Sequence, residues 1–305
     1  MKKIILGKSG LQVPQIAVGC MRLNNLCETD AEKFIMTAIE EGANFFDHAD
    51  IYGGGRCEEI FSKAVKMSPS VREKIILQSK CGIYNRTYDF SKEHIISSAD
   101  GILRRLNTEY LDVLLLHRPD ALAEPEEVAE AFDKLYSAGK VRHFGVSNHS
   151  PMQIMLLEKA LNQKLEVNQL QFSITNATMI TSGLHVNMED DGALNRDGGV
   201  LDFCRLNDIT VQPWSPFQYG FFEGPFIGSE KYRPLNLKLD EIAEKYGVGS
   251  TTVALAWILR HPANMQPVVG TTNCDRLREC IKAADIDLTR KEWYEIYLSA
   301  GNKLP

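Results

Sequence analysis

Short, continuously apolar runs alternate with longer amphipathic stretches along the whole chain. The run at 111–116 is apolar on both faces except for one acid, and the run at 267–269 has the same character on a smaller scale. Strands that are apolar on both faces belong to parallel sheets with helices packed on each side. Because these runs alternate with helical patterns, the sequence predicts repeated β–α units and an α/β fold.

The predicted elements form about eight strand–helix units. A small hairpin is expected within 3–19, and it leads into the first strand. The predicted strands are 16–18, 45–46, 75–79, 111–116, 141–146, 167–171, 209–212 and 267–269. The predicted helices are 29–41 with Thr29 as cap and Gly42 as stop, 57–66, 91–106 with Ser91 as cap, 125–138, one beginning at 150, 200–207, 235–247, 250–260, 274–284 and 289–300.

Parallel β–α units of this number most simply close into a (β/α)8 TIM barrel, here with a short N-terminal β-hairpin and extra C-terminal helices. No linker divides the chain, so residues 1–305 are predicted to form a single domain. A doubly wound open sheet is the structural alternative. It is disfavoured because no G-x-G-x-x-G fingerprint lies between the first strand and the first helix.

Composition mainly excludes other classes of protein. The hydrophobic content of 44% and charged content of 24% are ordinary for a soluble globular protein. The net charge of −6 argues against a nucleic acid or an anionic membrane as main partner. No apolar stretch is long enough for a membrane helix, and Gly7 and Lys8 interrupt the apolar start too early for a signal peptide.

The seven cysteines are scattered and form no C-x-x-C motif. We interpret them as reduced thiols, which predicts a cytoplasmic protein. The oligomeric state is left open by the sequence, and a monomer is compatible with it.

The candidate chemistry starts at residues 44–53. The apolar strand Phe45-Phe46 ends in Asp47, and His48, Asp50 and Tyr52 follow before a run of three glycines. In a barrel the carboxyl ends of all strands share one face, called the mouth below. The residues expected there are Asp47, Tyr52, Lys80, His117, Ser147, Asn148, Gln169, Trp214, Gly270 and Thr271.

An acid, a phenol, an amine and an imidazole at one mouth make a site that can protonate a carbonyl. A phenol with a pKa of about 10 keeps its proton at neutral pH, and a nearby ammonium makes it a better acid. A carboxylate keeps that lysine charged, and the imidazole can orient the carbonyl oxygen. Hydride must then come from a cofactor such as a nicotinamide. Trp214 offers an aromatic face to that ring, and Ser147, Asn148 and Gln169 could hold its carboxamide.

Several motifs in chain order resemble the aldo-keto reductase superfamily over essentially the whole chain. The motif around the tyrosine is Phe-Asp-His-Ala-Asp-Ile-Tyr-Gly at 46–53. The others are Gln-Ser-Lys-Cys-Gly at 78–82, Leu-Leu-Leu-His-Arg-Pro-Asp at 114–120, Gly-Val-Ser-Asn at 145–148, Asn-Gln at 168–169, Trp-Ser-Pro at 214–216 and Ala-Leu-Ala-Trp-Ile-Leu-Arg-His-Pro at 254–262.

The resemblance implies an NADPH-dependent reductase of aldehydes and ketones on a TIM barrel, with a small carbonyl compound as substrate. Asp47, Tyr52, Lys80 and His117 would form the catalytic tetrad, while His48 and Asp50 would flank it structurally. The implied cofactor residues are Gly19, Cys20, Met21, Arg22, Asp47, Ser147, Asn148, Gln169, Trp214, Ser215, Pro216, Phe217, Gly220, Gly270, Thr271, Thr272, Asn273, Arg276, Glu279 and Cys280.

Within that set, Arg276 is expected to hold the 2′-phosphate of NADPH. Two departures from the family pattern leave NADH possible as well, because Gly270 stands where many members have a basic residue and Cys280 where many have asparagine. Substrate choice is expected in the loops 172–199 and 217–233 and around Leu23 and Tyr84. Their aromatic content suggests moderately apolar carbonyl compounds.

Three alternatives remain open at this point. The first is a metallohydrolase that uses His48, Asp50 and His117. The second is a Schiff-base lyase with Lys80 as nucleophile. The third is a non-catalytic, NADP(H)-sensing or regulatory subunit on the same barrel. No metal is predicted for the favoured function.

Overall fold

Eight parallel strands close into a barrel in a computed structural model that describes residues 1–305. Each strand pairs with the next along the chain, and the last pairs with the first. This confirms the TIM barrel and shows that the open sheet is wrong. The strands are β1 (Ala17–Gly19), β2 (Phe45–Asp47), β3 (Ile76–Cys81), β4 (Leu111–Leu116), β5 (Val141–Ser147), β6 (Leu165–Gln171), β7 (Thr210–Trp214) and β8 (Val268–Val269).

Twelve α-helices surround the barrel and follow its strands. They are α1 (Glu28–Glu40), α2 (Arg56–Ala64), α3 (Pro69–Arg72), α4 (Lys92–Leu106), α5 (Pro125–Ser137), α6 (Pro151–Glu158), α7 (Thr178–Leu184), α8 (Val200–Leu206), α9 (Arg233–Tyr246), α10 (Ser250–Leu259), α11 (Cys274–Lys282) and α12 (Arg290–Ser299). The cap predicted at Ser91 is confirmed, since its side chain accepts a hydrogen bond from the His94 amide.

The predicted start of α1 is wrong by a short distance. Cys27, not Thr29, is the extended residue before the helix, and its side chain makes no capping bond. Thr29 therefore lies inside the first turn. The acidic Glu28 and Asp30 stabilise that turn because they face the positive end of the helix dipole.

The N-terminal hairpin pairs Lys3–Ile5 with Gln12–Pro14 and confirms the predicted hairpin. Its Leu6 and Val13 join a buried apolar cluster with Val113, Leu115 and Val167, which point into the barrel. The hairpin thus closes the end of the barrel opposite the mouth.

Other short elements were not predicted. Two small hairpins, Ile83–Tyr84 with Thr87–Tyr88 and Gln218–Tyr219 with Gly224–Pro225, follow β3 and β7. The long segment 172–199 contains α7. A strand of two residues is too short to show an alternation of apolar and polar residues, which explains why the sequence pattern did not indicate these hairpins.

The extra helices at the C-terminus pack firmly on the barrel. The indole rings of Trp257 on α10 and Trp293 on α12 stack with centroids 4.8 Å apart, and each Nε1 donates to the other's backbone carbonyl at 3.0 Å. All seven cysteines are free thiols, as predicted. None of the helices is both long and apolar enough to span a membrane.

Candidate active site

A buried ion pair lies at the centre of the mouth. Strand β2 ends at Asp47, which pairs in register with Gln78 on β3, and Lys80 follows two residues further along β3. The Lys80 Nζ lies 2.8 Å from each carboxylate oxygen of Asp47 and also donates to the His48 carbonyl at 2.8 Å. Lys80 was expected just beyond its strand but lies inside it, so a rigid β-ladder positions the ammonium group.

Tyr52 lies next to this pair. Its hydroxyl is 3.2 Å from the Lys80 Nζ, and the side chain is half-buried. The turn Tyr52–Gly55 that carries it contains glycines at positive φ (59°, 65° and 92° for Gly53, Gly54 and Gly55), a conformation that costs other residues energy. The structure therefore brings the predicted acid, lysine and phenol into contact, and their catalytic role stays a prediction.

Burial changes the acidity expected for Tyr52. Desolvation raises the pKa of its phenol, and the Lys80 ammonium lowers it by less, so the pKa is raised overall. Lys80 therefore lowers the pKa of the phenol, as expected, but burial outweighs this effect. Burial lowers the pKa of Lys80, but Asp47 and Tyr52 raise it more, so the pKa is raised overall. The phenol is protonated and the amine charged at neutral pH.

His117 follows β4 immediately, and its ring meets the Tyr52 ring edge-on with centroids 6.1 Å apart. Burial, then the charges of Lys80 and Arg118, hold the pKa of His117 well below its usual value. The imidazole is therefore neutral at pH 7 and keeps one N–H donor. Such a group can hydrogen-bond a carbonyl oxygen without supplying a full charge.

A chain of four buried glutamines supports Asp47 from inside the barrel. Gln78 and Gln169 donate to Asp47 Oδ1 at 2.6 and 3.1 Å and to Gln212 Oε1 at 2.8 and 2.9 Å. Gln212 donates to Gln266 Oε1 at 2.8 Å, and Gln266 donates to the carbonyl of Pro14 in the N-terminal hairpin at 2.7 Å. We call Gln78, Gln169, Gln212 and Gln266 the glutamine chain.

Only Gln169 of the glutamine chain was among the predicted site residues, as a ligand of the nicotinamide carboxamide. Its Nε2 instead donates to Asp47 and Gln212, which leaves Oε1 as the atom that could accept a bond from a ligand. The available signal was the recurrence of glutamine at inward strand positions. Because register fixes which residues point inward, that signal becomes readable only once the strands are aligned.

Trp214 at the end of β7 is held in a fixed orientation. Its Nε1 donates to Asn148 Oδ1 at 3.1 Å, Asn148 Nδ2 donates to Ser147 Oγ at 2.7 Å, and Ser147 Oγ donates to the Gln169 carbonyl at 3.0 Å. Asn148 and the neighbouring Ser215 both have positive φ (61° and 52°), and such strain persists where a site requires a special geometry.

The other predicted cofactor residues come from three adjacent strand ends. Gly19 ends β1 and residues 20–22 follow it, residues 215–220 follow β7, and residues 270–273 follow β8, which lies between those two strands. Arg22 Nη1 donates to the Gly270 carbonyl at 3.1 Å and ties the first and third segments together. The mouth thus offers a continuous strip of backbone for an extended ligand.

The family model described as "Aldo/keto reductase family" matches residues 15–297. The chain belongs to the aldo/keto reductase family. Members are oxidoreductases whose general reaction is the reduction of carbonyl groups, and they generally use nicotinamide cofactors.

Relatives and solved structures agree with this assignment. The chain is 37% identical to the oxidoreductase YcsN of Bacillus subtilis (strain 168), over all of both chains. It is 33% identical to a 6-dehydroglucose reductase of Agrobacterium fabrum, over 99% of both. A crystal structure of the thermostable aldo-keto reductase Tm1743 with the inhibitor epalrestat matches with a TM-score of 0.78 at 26% identity, and covers 98% of this chain and 100% of that one.

In this aldo/keto reductase, Arg276 is a free cation beside a helix N-terminus. Asn273 caps α11, and its Oδ1 accepts from the Arg276 amide at 2.9 Å. The Arg276 side chain is exposed and forms no salt bridge, whereas Arg278, two residues on, is paired with Glu41 and Asp275. Both the helix end and the unpaired guanidinium suit a phosphate.

Two predicted cofactor residues in this aldo/keto reductase are already engaged or buried within the protein. Glu279 accepts from Thr252 Oγ1 at 3.0 Å and from Lys282 at 2.6 Å. Cys280 is fully buried, and burial raises its pKa to about 12. Direct contact of these side chains with a cofactor stays a prediction, and the geometry favours Arg276 over both.

The two flanking residues of the tyrosine motif are packed away from the mouth. His48 is fully buried with its ring edge against Phe61, and burial lowers its pKa to about 3. Asp50 lies near Glu58 and Arg105, and burial raises its pKa to about 7. No group of three or more histidine, cysteine, aspartate or glutamate side chains has metal-binding geometry, so the metallohydrolase alternative has no ligand set here.

Proposed function

We propose that this aldo/keto reductase reduces aldehydes and ketones to alcohols with NADPH, and that Tyr52 gives the proton to the carbonyl oxygen. The observation that supports this most is the contact series Asp47–Lys80–Tyr52, in which a buried carboxylate holds a buried ammonium against the phenol. The cytoplasm, where NADPH is available, is the proposed compartment.

The donor set of the mouth fits a nicotinamide dinucleotide phosphate. Trp214 presents a ring fixed by Asn148, Gln169 Oε1 is free to accept from an amide, and Arg276 is free to bind a phosphate. The bound cofactor would supply the hydride that no side chain can. We expect NADH to bind as well. Among the residues predicted to hold the 2′-phosphate, Arg276 is the single unpaired cation, so few contacts favour NADPH over NADH.

The side chains of the tetrad then act on the carbonyl oxygen. Tyr52 hydrogen-bonds the oxygen and transfers its proton as negative charge develops there. Lys80 stabilises the resulting phenolate, because its ammonium lies 3.2 Å away, and Asp47 keeps Lys80 charged and in place. His117 donates its one N–H to the same oxygen and fixes the carbonyl for attack.

The test combines cofactor binding with turnover. Fluorescence titration with NADPH and NADH comes first, followed by a panel of aldehydes and ketones monitored by loss of reduced-nicotinamide absorbance. The panel includes aldehydes of the sugar type, because the relative from Agrobacterium fabrum is named for 6-dehydroglucose. Turnover of carbonyl compounds supports the proposal. Tight NADPH binding without turnover across the panel would contradict it and favour the regulatory alternative.

A further inference from the structure

Arg118 is a cation at the mouth with no acidic partner in the protein. It follows His117 directly, and its Cζ lies 5.6 Å from the centre of the Trp214 ring. The side chain is half-buried, and the charges that act on it electrostatically belong to Tyr88 and Tyr52. Arg118 is therefore placed beside the reacting end of the proposed site, between the orienting imidazole and the nicotinamide platform.

Other cations removed from solvent in this protein are paired with acids. Arg72 bonds Asp112 at 2.6 Å, Lys80 bonds Asp47 at 2.8 Å, and Arg105 bonds Glu58 at 2.7 Å. Arg118 takes part in no salt bridge and donates no hydrogen bond, and its nitrogens are not among the fully buried atoms that lack a partner, so they keep some exposure. Taking a charge partly out of water without a partner costs free energy, which a bound anion would recover.

The acid nearest to Arg118 in sequence does not neutralise it. Asp120 Oδ2 accepts from the Phe90 amide and Oδ1 accepts from the Leu122 amide, both at 2.9 Å. Both carboxylate oxygens are therefore engaged by the backbone. The guanidinium therefore lies beside the Trp214 ring without an acid to pair with.

We propose that Arg118 binds a carboxylate of the substrate and makes the enzyme selective for carbonyl compounds that carry one near the carbonyl. The inference rests on the proposed carbonyl reduction. A guanidinium fork matches the two oxygens of a carboxylate, and the aromatic surroundings strengthen the interaction by excluding water. A local cation is also needed to attract an anion to a protein whose net charge is −6.

The turnover test uses a matched pair of aldehydes, 4-oxobutanoate and its methyl ester, with NADPH. The two differ in charge at a group separated from the carbonyl by two methylenes. The ratio of their kcat/KM values is compared between wild type and Arg118→Met. We expect the ratio to favour the carboxylate in wild type and to fall roughly 10- to 100-fold in the variant, mainly through KM. Arg118→Lys should lie between them, since lysine keeps the charge without the fork.

Lys134→Met is the charge-matched control. Lys134 is exposed on α5, outside the barrel, and should leave the ratio within about twofold because exposed charges far from a site are screened. A merely structural role of Arg118 would lower kcat/KM for both aldehydes together and leave the ratio unchanged. That result, or a loss in Arg118→Met that is as large on the neutral, hydroxylated glyceraldehyde, would overturn the proposal.

A binding measurement separates this proposal from the proposed function. Calorimetric titration with benzoate and its neutral analogue benzamide requires no turnover. Wild type should bind benzoate more tightly than benzamide, and Arg118→Met should lose about tenfold or more of the benzoate affinity only. If no aldehyde is reduced but this pattern is seen, the reductase assignment fails and the anion site stands. If benzoate binding is absent or unchanged by Arg118→Met, the anion site fails.

Discussion

Lys80 and Asp47 form an ion pair that is sealed from solvent, with the ammonium nitrogen 2.8 Å from both carboxylate oxygens and with Lys80 wholly buried. Removing one partner from such a pair leaves an uncompensated charge in the interior. The pair therefore stabilises the fold and, in the proposed reaction, also fixes the ammonium that contacts Tyr52.

Replacing Lys80 should destabilise the protein as well as inactivate it. Lys80→Met is expected to lower the free energy of unfolding by about 3–5 kcal/mol, because Asp47 would remain buried without its cation. The double variant Asp47→Asn/Lys80→Met should recover part of that loss. Urea unfolding of wild type and the two variants measures it, and equal stability of all three would show that the ion pair does not stabilise the fold.

The glutamine chain should couple the bottom of the barrel to Asp47. Gln212→Met removes the acceptor shared by Gln78 and Gln169 and should cost about 1–3 kcal/mol of unfolding free energy, because buried amides lose partners. It should also lower kcat, since Asp47 becomes less constrained. Gln163→Met, in the turn before β6 where Gln163 bonds Asp133, is the matched control. A kcat in Gln212→Met as high as in the control would disconnect the chain from catalysis.

The tetrad and the glutamine chain around Asp47 show how much of the site could be predicted from the sequence. Asp47, Tyr52, Lys80 and His117 were readable because each lies at or just beside the end of an apolar strand, and barrel closure brings strand ends together. Gln78, Gln212 and Gln266 could not be predicted, because strand register decides whether their side chains point into the barrel. The sequence identified Arg118 only as the residue after His117, because nothing in the sequence shows that its guanidinium has no acidic partner in the fold.

The net acidity of Tyr52 could not be predicted for a different reason. The sequence places an ammonium near the phenol, but the opposing effect is desolvation, and its size depends on the packed structure. The barrel itself was predictable because eight β–α units share one pattern. The two short hairpins at the mouth were not, since each strand has only two residues.

Arg276 should distinguish the two nicotinamide cofactors. Arg276→Ala is expected to weaken NADPH binding roughly 10- to 100-fold and NADH binding much less, because only NADPH carries the 2′-phosphate. Arg278→Ala is the control, since that guanidinium is already paired with Glu41 and Asp275. Fluorescence titration measures both. Equal weakening of the two cofactors would place the 2′-phosphate elsewhere.

Asp50 should make stability depend on pH between about 4 and 7. Its pKa is raised to about 7 in the fold, whereas an unfolded aspartate has a pKa of about 4. The folded state therefore holds a proton that the unfolded state has lost, so this contribution is present below pH 4 and is lost as pH rises to 7. Asp50→Asn should gain stability relative to wild type over that window. Thermal unfolding at several pH values checks this, and a constant difference would contradict the assignment.

The central claim is that Tyr52 donates the proton to the carbonyl oxygen. The most direct test is kcat/KM for NADPH-linked carbonyl reduction in Tyr52→Phe, measured from neutral to alkaline pH alongside NADPH binding. The account predicts a loss of roughly 10²- to 10⁴-fold with NADPH affinity kept. It also predicts an alkaline decline above a pH of about 10 in wild type that is absent in the variant, because the raised pKa of Tyr52 keeps the phenol protonated up to that point. Turnover near the wild-type level in Tyr52→Phe would contradict the account.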